Sequence, residues 1–84
     1  MKTYYQIYAS FSLSHGKPQL VGISLNSTGV YFPFLVGSYA YTLSYSRFFR
    51  TIPQAQEYVN YLFSRYPESP AARPVLDGGQ PLLF

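Results

Sequence analysis

The alternation of apolar and polar positions near the start of the chain has period two. Tyr5, Ile7, Ala9, Phe11 and Leu13 point one way, while Tyr4, Gln6, Tyr8, Ser10 and Ser12 point the other, as in a half-buried strand. His15-Gly16-Lys17-Pro18 carries turn residues. Val21, Ile23 and Leu25 then alternate with Leu20, Gly22 and Ser24 as a second strand, and Asn26-Ser27-Thr28-Gly29 turns again. Val30 to Val36 reads as a third strand. Pro33 cannot donate to a ladder, which places that strand at an edge or on a bulge. Gly37-Ser38 is the next turn signal. Tyr39, Tyr41, Leu43 and Tyr45 alternate with Ala40, Thr42, Ser44 and Ser46 as a fourth strand. Connections this short require antiparallel neighbours.

The period changes at Thr51. Thr51-Ile52-Pro53-Gln54 has the residues of a helix start: a threonine cap, a proline in the first turn, and a glutamine three positions after the cap. Ala55, Tyr58, Val59, Leu62 and Tyr66 recur at helical spacing, with Gln56, Asn60 and Ser64 on the other side, and Pro67 ends the run. Residues 67–84 hold four of the seven prolines and the pair Gly78-Gly79, a composition that reads as an extended tail. The expected fold is α+β: one small domain over residues 1–66, an antiparallel sheet of three to four strands followed by a C-terminal helix packed on one face, then the tail at 67–84.

One helix covers one face of such a sheet. The other face is expected to be open and to present Tyr4 and Tyr8 with the polar side chains between them. The pattern leaves open which face of the fourth strand looks outward; if its tyrosines do, the open surface is more aromatic still.

Composition sharpens this picture. The chain has 84 residues, and such a length supports one limited core. Aromatic residues make up 20% and charged residues 11%, with ten Tyr and seven Phe, so charge is scarce where tyrosine is abundant. The net charge is +3, and Lys2, Lys17, Arg47, Arg50, Arg65 and Arg73 are spread along the chain, only Arg47 and Arg50 being close together. Dedicated nucleic-acid binders cluster their cations. There is no cysteine, which excludes disulfides, thiolate zinc sites and a cysteine nucleophile, and points to the cytoplasm for a chain of this size. Residues 1–14 are interrupted by Gln6, Ser10, Ser12 and Ser14 and do not read as a signal peptide. The longest apolar run, Val30 to Val36, is far short of the ~20 residues that span a bilayer, so no membrane partner is expected.

Residues that could carry catalysis are few. Glu57 lies on the expected helix, and Glu68 and Asp77 in the tail, with no pairing implied. His15 is the single histidine, in a turn, with no acid near it in sequence and no nucleophile elbow elsewhere. Tyr58 and Tyr61 have no array of His and Arg that would make a tyrosine a phosphoryl acceptor, and Tyr58 belongs to the apolar stripe. The glycines at 16, 22, 29 and 37 stand alone rather than forming a phosphate loop. No catalytic residue, no metal site and no cofactor are therefore expected.

Tyr4 and Tyr8, flanked by Arg47 and Arg50, are the expected contact residues. Tyrosine is favoured in protein interfaces because it offers large area with few rotatable bonds. The scarcity of charge favours a protein partner over phosphate, and stacking of unpaired bases on the same tyrosines, with Lys2, Arg47 and Arg50 at the flanks, is the alternative.

The last five residues, Gln80-Pro81-Leu82-Leu83-Phe84, are the sharpest local signal. They resemble the short motif by which many bacterial replication and repair proteins bind the sliding clamp. Gln80, Leu83 and Phe84 match it, whereas Pro81 stands at the usual leucine and Leu82 at the usual small polar position. The resemblance implies two apolar anchors in a preformed pocket and a glutamine amide at its rim, with the clamp as partner. A terminal strand docked on the sheet is the other reading of these residues. The function expected is that of a small non-catalytic adaptor or inhibitor. By analogy of size and composition alone, phage and mobile-element inhibitors such as anti-CRISPR proteins are a further alternative.

Overall fold

The computed structural model of the chain describes residues 2–31, 35–76 and 80–81. Four long or medium strands and one helix form the body: β1 (Tyr4–Ser12), β2 (Gln19–Thr28), β3 (Leu35–Tyr39), β4 (Thr42–Phe49) and α1 (Ile52–Arg65). Two-residue strands β5 (Val75–Leu76) and β6 (Gln80–Pro81) follow. The strand order is β3-β4-β1-β2-β5-β6, antiparallel throughout except where Leu76 pairs with Leu25 in parallel. The fold is α+β, with the helix on one face of a mostly antiparallel sheet.

The first strand follows its pattern residue by residue. Ile7, Ala9 and Phe11 are buried against the helix, and Tyr5 is half-buried beside them. They pack in two adjoining clusters. One joins Ile7 and Leu25 to Ala55 and Val59; the other joins Ala9, Phe11 and Leu20 to Leu62. The helix contributes Ala55, Val59 and Leu62, one turn apart, so the stripe read from its spacing is its buried face. The helix start also behaves as read. The Thr51 hydroxyl accepts a hydrogen bond from the Gln54 N–H at 3.2 Å, and the Gln54 side-chain carbonyl accepts from the Arg50 N–H at 3.2 Å.

The second, third and fourth strands depart from their sequence reading. β2 extends to Thr28, so Asn26-Ser27-Thr28 is strand rather than turn. Its two faces are also reassigned. Ser10 lies opposite Gly22 but Phe11 opposite Leu20, which makes Val21 the extra residue of a bulge. Leu20 is thereby buried in the core and Val21 is 41% exposed, although simple alternation groups Val21 with the inward residues. β3 begins at Leu35 and contains Gly37 and Ser38; the chain turns instead at Ala40-Tyr41, where Ala40 takes φ 53°. β4 accordingly runs three residues past Ser46, and Tyr39 and Tyr41 are not part of it. β3 is the edge strand, while Pro33, the residue that suggested an edge, lies outside the described residues.

Residues 67–76 run along the sheet rather than away from it. The Ser69 hydroxyl donates to the Leu20 carbonyl at 2.6 Å, Pro74 is buried, and Leu76 packs on the core. Arg73 donates to the Asn60 amide oxygen at 2.9 Å and lies over the Phe63 ring. Asp77, Gly78, Gly79, Leu82, Leu83 and Phe84 lie outside the described residues. Among the described residues no helix is long and apolar enough to cross a membrane.

Ile7 is fully buried at the centre of the sheet. Ile7→Ala is expected to lower unfolding stability by about 2–5 kcal/mol, read from urea denaturation. Tyr45 yields a second prediction. Burial and its hydrogen bond with the Tyr58 hydroxyl push the Tyr45 phenol above its ordinary value. The native state therefore holds that proton more tightly than the unfolded chain does, and this contribution is lost as pH rises above about 10, the ordinary tyrosine value. Denaturation midpoints should fall in that range, and Tyr45→Phe should flatten the fall.

Candidate functional site

The face of the sheet away from α1 is built from rows of residues in register. Phe48, Gln6 and Asn26 form one row; Ser46, Tyr8 and Ser24 the next; then Gly37, Ser44, Ser10 and Gly22; then Tyr39, Thr42, Ser12 and Gln19. Tyr4 and Thr28 close one end. Facing residues of an antiparallel sheet share a side, so the pairing settles the face that alternation left open for the fourth strand. Leu43, Tyr45, Arg47 and Phe49 share the helix side with Phe11, Ala9, Ile7 and Tyr5. The serines of β4, and not its tyrosine, look outward.

The middle of this face is a bed of hydroxyls. The Gln6 amide donates to the Ser46 hydroxyl at 3.1 Å, the Ser10 and Ser44 hydroxyls are 3.3 Å apart, and those of Ser12 and Ser14 are 3.0 Å apart. Tyr8 rises from this bed and is 43% exposed. The Ser44 hydroxyl, and secondarily that of Ser10, holds the Tyr8 phenol below its ordinary pKa by hydrogen bonding, which outweighs a small opposing effect of desolvation.

One end of the face is aromatic. Tyr31, from the segment after β2, lies with its ring 5.0 Å from that of Tyr4 and 5.9 Å, edge-on, from that of Phe48. The Arg50 guanidinium sits over the Tyr4 ring with its Cζ 5.1 Å from the centroid. These rings border an open cleft of about 570 Å³ that continues past Phe49 and Arg50 to Gln54 and Glu57 on the helix.

The expected contact residues thus separate. Tyr4 and Tyr8 lie on the open face, and Arg50 joins Tyr4 at its rim. Arg47 lies on the opposite face, its Cζ 5.2 Å from the centroid of the Tyr58 ring on the helix. Gln80 enters β6, paired with Leu76, while Leu83 and Phe84 lie outside the described residues. Tyr31 and Phe48 were not expected as partners of Tyr4. Phe48 follows from continuing the alternation of β4 past Ser46, whereas nothing in the local pattern of Tyr31 places it.

The rows named above contain no Lys, Arg, Asp or Glu. Chemically, such a surface offers donors and acceptors of neutral groups plus aromatic area. Among the described residues no three or more His, Cys, Asp or Glu gather to hold a metal ion. Comparison of the chain with protein-family models, curated proteins and solved structures finds no match.

The lowered Tyr8 phenol is directly testable. Ser44→Ala removes the larger of its two hydrogen bonds, so the Tyr8 titration, followed by NMR of the labelled ring, is expected to move upward toward the ordinary value, with Ser10→Ala producing a smaller move.

Proposed function

We propose that this chain is a small non-catalytic protein-binding module, of adaptor or inhibitor type, whose contact surface is the open face of the sheet. The observation that carries the reading is the composition of that face: tyrosine, serine, threonine, asparagine, glutamine and glycine with Phe48 at one end, and no charged side chain in its rows. Binding surfaces built for adaptable protein recognition use this set, with tyrosine supplying area at low entropic cost and small polar residues supplying hydrogen bonds. Tyr4, Tyr31 and Phe48 add an aromatic anchor region at one end, where a partner side chain can be desolvated.

A stacking surface for nucleic acid is less well supported. Arg47 is separated from Tyr8 by the thickness of the sheet, which leaves two cations of the expected set near the exposed tyrosines, Arg50 over the Tyr4 ring and Lys2 two residues before Tyr4 in the chain. Affinity without phosphate neutralisation is weak for such ligands. The tail pentapeptide, Gln80 to Phe84, is a second contact in the same reading, separable by deletion.

The test is affinity purification from extract of the source cells with the native chain and with Tyr8→Ala, each checked for an unchanged circular dichroism spectrum. A protein partner is expected to survive a rise from about 50 to 200 mM salt, a range over which a complex with many phosphate contacts loses roughly 10³–10⁵ in affinity. Tyr8→Ala should release that partner. Recovery of nucleic acid that is lost over the same salt range would overturn the proposal.

A further inference from the structure

The sheet ends at β3, and among the described residues nothing pairs with the outer side of that strand. An open sheet edge presents unpaired N–H and C=O groups, and proteins usually blunt it with a lysine, a proline, a bulge or a covering segment. Leu35-Val36-Gly37-Ser38-Tyr39 has no charge and no proline, and its register with β4 runs unbroken through five pairs. Its large exposed side chains are apolar or aromatic, Val36 at 58%, Tyr39 at 83% and Tyr41 in the adjoining turn, and the exposed polar ones, Ser38 and Thr42, are uncharged. The lack of charge extends well beyond the strand, since no Lys, Arg, Asp or Glu occurs between Lys17 and Arg47.

We propose that this edge pairs with the same edge of a second copy of the chain, antiparallel, across a two-fold axis perpendicular to the sheet. Charge selects the occupant. Copies carrying a net charge of +3 repel one another in general, and residues 35–46, which hold β3, its turn and the first half of β4, carry no source of that repulsion, Arg47 being the first cation beyond them. An acidic protein or a nucleic acid would find no cation on the strand. A pair centred on Gly37 sets Val36 opposite the partner's Ser38 and Leu35 opposite the partner's Tyr39, so every facing position is uncharged and the contact is self-complementary. The axis keeps like faces together: both helices lie on one side, and the two open faces join into a single neutral surface on the other. This pairing stands independently of what that surface binds.

The chain has no cysteine, so one introduced thiol is unique. Gly37→Cys places it at the centre of the proposed pair, where a new Cβ meets no atom within 4 Å. Directly opposed residues of an antiparallel pair have Cα atoms about 4.5–5.5 Å apart, within disulfide range. Tyr61→Cys, on the exposed side of the helix, is the control. Under mild oxidation of the full chain at micromolar concentration, Gly37→Cys is expected to form covalent dimer roughly 100-fold faster than Tyr61→Cys, when both label equally with maleimide. Sedimentation velocity of the native chain should shift from monomer to dimer mass with concentration. Val36→Lys should abolish the shift with the circular dichroism spectrum unchanged, and Gly37→Lys should do the same from the other side of the strand. Equal cross-linking rates, a native chain that stays monomeric to about 1 mM, a level typical of weak effective concentrations, or assemblies larger than a dimer would overturn the proposal.

Discussion

One apolar stripe on one helix constrains everything else in this molecule. Ala55, Val59 and Leu62 bury Ile7, Ala9, Phe11, Leu20 and Leu25, and this contact fixes which side of every strand is inside. A sheet whose side chains alternate with period two cannot slip by one residue without turning the whole set over. The bulge at Val21 is the accommodation. It lets β2 keep Leu25 and Ile23 inward at one end and Leu20 inward at the other, at the cost of one residue left out of the ladder.

The same contact divides the tyrosines of the sheet and its turns from those of the helix–sheet interface, with Tyr5 packed on the core and Tyr61 exposed on the helix. Tyr45, Tyr58 and Tyr66 are drawn into the helix–sheet interface, where Tyr45 and Tyr58 satisfy each other's hydroxyls and Tyr66 packs on the Phe11 ring. Arg47 goes with them, resting on Tyr58. What remains outside is neutral: Tyr4 and Tyr8 among serines on the open face, Tyr31 over Tyr4, and Tyr39 and Tyr41 at the edge. The sparse charge of the chain is therefore not evenly diluted. Arg47 and Arg73 rest on the helix and Arg50 sits at the rim, and the sheet surface free for contact has no charged side chain in its rows. Protein partners, including another copy, suit that distribution better than phosphate does.

Much of the fold was legible in order of how local its cause is. The helix was readable in full because its determinants lie within a few residues: Thr51 and Gln54 at the start, a stripe at helical spacing, and Pro67 beyond the end. β1 was readable because an unbroken alternation of nine residues admits one phase. β3 and β4 were less so. Gly37-Ser38 has turn composition, yet the chain turns at Ala40-Tyr41, since the pairing of Tyr39 with Thr42 and of Tyr45 under the helix outweighs a local preference. The tail was readable as extended, but its attachment through Ser69 and Leu76 depends on partners about fifty residues away.

The sequence by itself determined that this is an α+β domain, that one sheet face would lie uncovered, and that Tyr4 and Tyr8 would be on it, because periodicity and capping act over a few residues. Tertiary structure alone decided that β4 turns its serines outward, that Arg47 belongs to the covered side, and that Tyr31 closes over Tyr4. Each of those depends on register between segments distant in the chain, where a shift of one residue exchanges the two faces and leaves the local pattern of either strand unchanged.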